Sequence, residues 1–206
     1  LEMLEAIRRR VGPDYILGIR MSADEMLEGG LSPEESLEIA VRHAESGLID
    51  YLNVVGADAT TDLGISKLIP TMGQRTAPFL DRARAIREAT GLPVFHATRI
   101  TDLSTARHAV AEGYTDMVGM TRAHIADPHI VAKMLRGEEG RIRPCVGAGY
   151  CIDRIYVGRD ALCAHNAATG REATMPHVIR PGEGPRKRVV VVGGGPAGLE
   201  AARVSA

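Results

Sequence analysis

Every cysteine of the chain lies in "CVGAGYCIDRIYVGRDALC", residues 145–163, and the three follow the frame Cys-x2-Ala-x2-Cys-x11-Cys. Thiolates are soft donors for zinc and iron, and three of them in one short stretch fit a metal or redox site in a reducing compartment better than a disulfide framework. Cys145, Cys151 and Cys163 are therefore the candidate metal ligands. Ala148 stands where a fourth sulfur would complete the set, and a methyl group cannot ligate. A zinc ion held by the three thiols and His165 is one way to complete it, although that imidazole follows Cys163 by only two positions. In the alternative the metal is lost and three buried thiols remain, an ordinary state for cysteine in a core.

A second chemistry is written in "VVVVGGGPAGLEAARVSA". Gly193, Gly195 and Gly198 form G-x-G-x-x-G between four valines and an amphipathic run, a strand-turn-helix context in which backbone N–H groups approach a pyrophosphate at the helix N-terminus. The acidic residue expected about 20 positions further on would lie past Ala206, so the fingerprint is incomplete.

Three arginines carry a third. Arg20, Arg99 and Arg122 are each expected at or just past the end of a strand, in "GIRMS", "HATRIT" and "GMTRA". Equivalent positions on three strands suggest an anion on one face of a parallel sheet. The guanidinium groups of Arg99 and Arg122, with the backbone amides of Thr98, Arg99, Thr121 and Arg122, suit a phosphate through charge-assisted bonds. Arginines paired with helix carboxylates on the surface are the plain alternative. Asp58 and Asp62, in a long segment after the second strand, are candidate partners for a cationic substrate, and ordinary capping or solvated carboxylates otherwise. His96 sits in an apolar strand and reads as a satisfied core histidine.

The elements that must position these groups alternate. Short apolar runs "ILGIR", "YLNVV", "VFHAT" and "MVGMT" are separated by amphipathic stretches, the pattern of repeated strand-helix units and a parallel sheet. The clearest helix signal is "LSPEESLEIAVRHAESG", with Ser32 as N-cap, Pro33 at the first position, Glu35 completing a capping box and Gly47 at the stop. Further helices are expected over 78–90, 102–112 and Asp127 to Arg136, and strands over 15–20, 50–55, 93–97 and 116–120, in that order and parallel. The fold class is α/β: four such units make half of a (β/α)8 TIM barrel, or a doubly wound open sheet. Residues 172–187 are rich in Pro, Gly and Arg and read as an extended linker, after which a strand and a helix should follow.

With 206 residues, 45% of them apolar, and a formal charge of -1, the chain is long enough to bury a core and has no charge excess that would seek nucleic acid. It has no apolar run of about 18 residues to span a membrane, and its start carries no signal-peptide pattern, so a cytoplasmic location is expected. It opens inside an amphipathic run and stops a turn or two into another, which reads as a fragment.

Taken together, the half barrel, the cysteine segment and the glycine turn resemble the multidomain branch of the old yellow enzyme superfamily over essentially the whole chain. The resemblance implies residues 1–143 as the C-terminal half of an FMN-binding barrel, 144–171 as an iron-sulfur segment, 172–187 as the linker and 188–206 as the start of a FAD/NAD(P)-binding Rossmann-like domain. It assigns Arg20 to the pyrimidine side of the flavin, and Thr98, Arg99, Thr121 and Arg122 to the flavin phosphate. The family usually has glycine where this chain has Thr98 and Thr121, particularly at the first. For the cysteines it implies a [4Fe-4S] site, which ordinarily takes four thiolates; with three, a three-iron cluster or a four-iron cluster with one non-cysteine ligand is expected. The spacing of Cys145, Ala148 and Cys151 and the run "CAHNAATGRE" are similar to the amine-oxidising members, among them the N-methylproline and dimethylglycine demethylases.

The implied activity is oxidative N-demethylation of a small N-methylated amine or amino acid through FMN, with an electron-transfer flavoprotein as possible electron partner and a homo-oligomer as the intact state. The implied catalytic residues lie outside these residues, so none is assigned. An NAD(P)H-dependent enoate or 2,4-dienoyl-CoA reductase is the alternative within the class. An electron-transfer or interaction module without substrate chemistry is the alternative outside it.

Overall fold

The computed structural model describes residues 1–206. Helix α1, Glu2–Val11, has acidic residues in its first turn and three arginines in its last, complementing the helix dipole. One of these, Arg8, crosses to the Leu48 carbonyl and pairs with Asp50 at 2.9 Å, fixing α1 beside the entry to the second strand. Strand β1 is Gly18–Ser22, and helix α2, Pro33–Glu45, starts on the expected capping box: Ser32 Oγ accepts from the Glu35 amide while Glu35 returns a bond to the Ser32 amide. Then come β2 (Tyr51–Val55), α3 (Asp62–Leu68), α4 (Leu80–Thr90), β3 (Val94–His96), α5 (Leu103–Ala111) and β4 (Met117–Val118). Gly91 stops α4 in the left-handed conformation, and Asp102 caps α5 through the Thr105 amide. Helices α6 (Thr121–Ala126), α7 (Ile130–Leu135), α8 (Tyr150–Tyr156) and α9 (Pro196–Ser205) complete the chain.

The four strands form one parallel sheet in the order β1-β2-β3-β4. Side chains alternate across a strand, so the register puts Arg20, Asn53, Phe95 and Met117 on one face and Met21, Val54, His96 and Val118 on the other. Leu52, Val54 and Val94 are fully buried against Ala40 of α2 and Ala83 and Ile86 of α4. The opposite face is uncovered: Arg20 is exposed, Met117 is half exposed, and the Tyr51 and Phe95 rings stack with centroids 4.6 Å apart. Helices on one face and an open inner face are the arrangement of a barrel sector, not of a doubly wound sheet. A second cluster joins α5, α6 and α7 through Ala109, Ala123 and Ile130.

Several boundaries differ from expectation. The helix expected over Asp127 to Arg136 is α7, which starts only at Ile130, and α6 precedes it without having been expected; between the two, buried Asp127 accepts from the amides of His129 and Arg143 and from Lys133 Nζ. The long segment after β2 contains α3, and the cysteine segment contains α8. Residues 172–174 form a turn, and 176–187 carry no helix or strand and are mostly exposed. The strand expected at Val189–Val192 is not formed: no neighbouring strand offers a ladder, and Val192 is 94% exposed. The following helix is α9. No helix is long and apolar enough to cross a membrane.

Candidate functional site at the strand ends

Gly119 is packed so tightly on Ala97 that a Cβ there would lie 2.7 Å from the Ala97 methyl. The segments leaving β3 and β4 therefore run side by side. Arg99 follows β3 and adopts a left-handed backbone, φ 50°, an uncommon conformation for a residue with a side chain. Its guanidinium donates to the Thr71 carbonyl and reaches the Met72 carbonyl at 3.5 Å, while its buried Nε has no partner. Arg122, the second residue of α6, donates to the carbonyl of buried Pro70 at 2.7 Å. Burial pulls the Arg122 guanidinium below its ordinary pKa, and Cys145 and Cys151 draw it back up while Arg99 adds repulsion. The two arginines thus meet on one three-residue segment, 70–72. Thr98 is buried beside them, and Thr121 is exposed at the start of α6.

Arg20 does not join this group. The sequence placed it at a strand end, but β1 continues to Ser22, and Arg20 lies mid-strand on the open face without a hydrogen bond or ion pair. Its register neighbour Asn53 was not singled out from the sequence, although one amide in the apolar run "YLNVV" was the available signal. The Asn53 Oδ1 is buried and unpartnered. His96 is fully buried, with Nδ1 2.8 Å from the Val54 carbonyl and Nε2 unpartnered, so it is a core histidine only half satisfied. Burial holds its pKa below the ordinary value, the Val54 carbonyl opposes, and the Arg20 charge adds to the lowering.

The two loop aspartates have local work. Asp58 accepts from the Thr60 hydroxyl and amide, at 2.5 and 2.7 Å, and the first of these bonds is the main cause holding its carboxyl below the usual range. Asp62 opens α3, whose N-cap Thr61 accepts from the Gly64 amide. Asp58 is thus engaged in a local turn, and Asp62 is an exposed carboxylate in the first turn of α3.

Cys145, Cys151 and Cys163 line one small cleft, with Ala148, Arg122 and His165 in the same wall. The spacing thus brings the three thiols to one place. It does not bring them into ligating arrangement: all three are free, and no three of the cysteine, histidine, aspartate and glutamate side chains are grouped so as to hold a metal ion. Cys151, on α8, is buried, and burial pushes its thiol up. His165 has Nδ1 3.0 Å from the Pro144 carbonyl. Val146 is 41% exposed, so Cys145 and Ile142, which pack on the second core cluster, provide the apolar contact.

The glycine turn is close-packed on itself. A Cβ on Gly198 would overlap the Gly193 carbonyl, and Gly193 has φ 112°. Gly193, Gly195 and Gly198 lie in an exposed segment that touches no second strand.

Residues 1–140 match the family model described as NADH:flavin oxidoreductase / NADH oxidase family. The chain belongs to that family. Across 99% of its length it is 58% identical to a probable N-methylproline demethylase of Rhizobium meliloti, and across 100% it is 47% identical to the N,N-dimethylglycine/sarcosine dehydrogenase of Chromohalobacter salexigens. In each case it spans 30% of the relative's length. Among solved structures, histamine dehydrogenase from Rhizobium sp. 4-9 superposes with a TM-score of 0.86 at 27% identity, covering 98% of this chain and 29% of that one. A 2-naphthoyl-CoA reductase superposes with a TM-score of 0.85 at 31% identity, covering 98% and 30%.

Proposed function

We propose that the protein containing this chain is an FMN-dependent oxidoreductase that N-demethylates a small N-methylated amine or amino acid. The observation that carries the reading is the 58% identity to a probable N-methylproline demethylase over 99% of the chain, supported by a second N-methyl-amine enzyme at 47%. The rim fits the phosphate end of a flavin: Arg99 keeps a buried N–H without a partner, Arg122 stands beside it, and Thr121 offers an exposed hydroxyl and amide. Bound there, the flavin would supply an acceptor for a hydride equivalent from the N-methyl carbon.

The chain's own residues would do three things. Arg99 and Arg122, with the amides of Thr98 and Thr121, would hold the phosphate by charge-assisted bonds. Arg20, free of internal partners on the open sheet face, would place a positive charge where negative charge develops on reduction. The sheet and the rim would fix the reacting C–H bond in place, the main contribution a protein makes to such a transfer. Hydrolysis of the oxidised N-methyl group then gives formaldehyde and the demethylated amine. In the longer protein the glycine turn would open a site for FAD or NAD(P), and an electron-transfer flavoprotein is the proposed acceptor.

A second reading is favoured by one relative, a multifunctional alkene reductase/demethylase of Caballeronia cordobensis, 46% identical over the whole chain. The full-length protein mixed anaerobically with N-methylproline, dimethylglycine or sarcosine should lose its oxidised-flavin absorbance and release formaldehyde. Bleaching only by NADPH, with turnover of an enoate, would overturn the demethylase reading in favour of the reductase.

A further inference from the structure

We propose that the cysteine segment of this chain is a metal-free fold, in which Cys145, Cys151 and Cys163 remain thiols and Ala148 closes the position a fourth ligand would take. The donor set is the first argument. An iron-sulfur cube ordinarily takes four protein thiolates, and the cleft wall offers three sulfurs and a methyl group. The arrangement is the second. Even with His165 counted, no three donors are grouped to hold one ion.

The third argument is what holds the segment in place. Small metal-clamped units unfold without their metal because ligand bonds stand in for a core. This segment has contacts of its own. The Met72 amide donates to the Gly147 carbonyl at 2.8 Å, tying the segment to the loop on which the two rim arginines meet. At the far end Asn166, 2% exposed, and Thr169, 7% exposed, both donate to the Ile125 carbonyl at 3.0 Å, docking the segment on α6. Just before Gly147, Ile142 and Cys145 pack on the core cluster of α5, α6 and α7. Apolar packing and a backbone bond at one end and buried polar docking at the other hold the segment without a metal.

The consequence for the enzyme is that electrons taken from substrate leave through an acceptor that reaches the flavin without passing through this segment.

The test uses the full-length protein, expressed with iron and zinc supplied and purified anaerobically. Iron, zinc and acid-labile sulfide should all be substoichiometric, dithionite should produce no cluster EPR signal, and all three thiols should react once the protein is denatured. The thermal transition should not move when a chelator is added. Reconstitution with ferrous iron and sulfide should load no cluster into the native chain and should load one into Ala148→Cys. Stoichiometric iron and sulfide, stoichiometric zinc, a cluster reconstituted in the native chain, or a chelator-sensitive transition would each overturn the proposal. An Ala148→Cys variant that takes up nothing would overturn the role given to Ala148. Amine-dependent flavin bleaching, measured on the same preparation, reports on the demethylase reading separately.

Discussion

The Arg122 guanidinium donates to the Pro70 carbonyl at 2.7 Å, across 52 positions of sequence, so the loop after β2 and the first turn of α6 share one bond. Pro70 is fully buried, and its carbonyl has no water to fall back on. Charged hydrogen bonds of this kind are worth about 1.5–3 kcal/mol. Arg122→Ala in the full-length protein should therefore weaken FMN binding by roughly 10- to 100-fold, measured by fluorescence titration of the apoprotein. Arg122→Lys should recover only part of this, because an ammonium lacks the fork of donors. Unchanged affinity in the alanine variant would remove Arg122 from the phosphate site.

His96 predicts a pH dependence. Its folded pKa is held below the ordinary 6.5 mainly by burial, so the unfolded chain takes up a proton that the folded chain refuses. The unfolded state thus binds more protons below about 6.5, and stability must fall as pH drops through that window and recover above it. His96→Leu should flatten this acid limb in denaturant titrations below about pH 6.5. A limb of the same slope would mean that other groups set it.

Gly64 is required by contact. A Cβ there would overlap Asp58 Oδ2 and lie 2.8 Å from the Asp58 carbonyl oxygen, so Gly64→Ala must push the Asp58–Thr60 turn away from α3. Overpacking of this kind typically costs about 1–3 kcal/mol. The expected result is a lower thermal midpoint together with loss of the Thr60 amide's protection from hydrogen exchange. Full protection at Thr60 would show that the loop absorbs the methyl elsewhere.

The capping box at Ser32 gives a purely local prediction. Ser32→Ala removes the acceptor for the Glu35 amide and should cost about 1 kcal/mol, while Ser32→Gly should cost only a few tenths. Equal losses in the two variants would indicate that Ser32 matters for something other than the cap.

The order of the four strands, their parallel sense, and α2 with its cap were legible because each is a local pattern: an apolar run, an amphipathic run, a Ser-x-x-Glu box. The meeting of Arg99 and Arg122 was legible in outline, since consecutive parallel strands must place their exits side by side. Their shared contact with 70–72 was not, because carbonyl acceptors have no residue-type signature. Asp127 was misread for a related reason. The expected helix starts there, yet the Asp127 carboxylate accepts from Lys133 and from the Arg143 and His129 amides, and the helix opens only at Ile130. The valines of 189–192 have strong strand character, but propensity cannot replace a missing neighbour.

The extended stretch after the cysteine segment makes the chain divisible. From Pro176 to Gly194 no backbone hydrogen bond ties the main chain to anything else, and Arg180, Arg186, Lys187 and Arg188 stand exposed within it. A backbone that can enter a protease cleft without unfolding is cut first. Brief trypsin treatment should therefore sever the polypeptide here, and the cysteine segment, latched to α6 through Asn166 and Thr169, should stay with the sheet and not with α9.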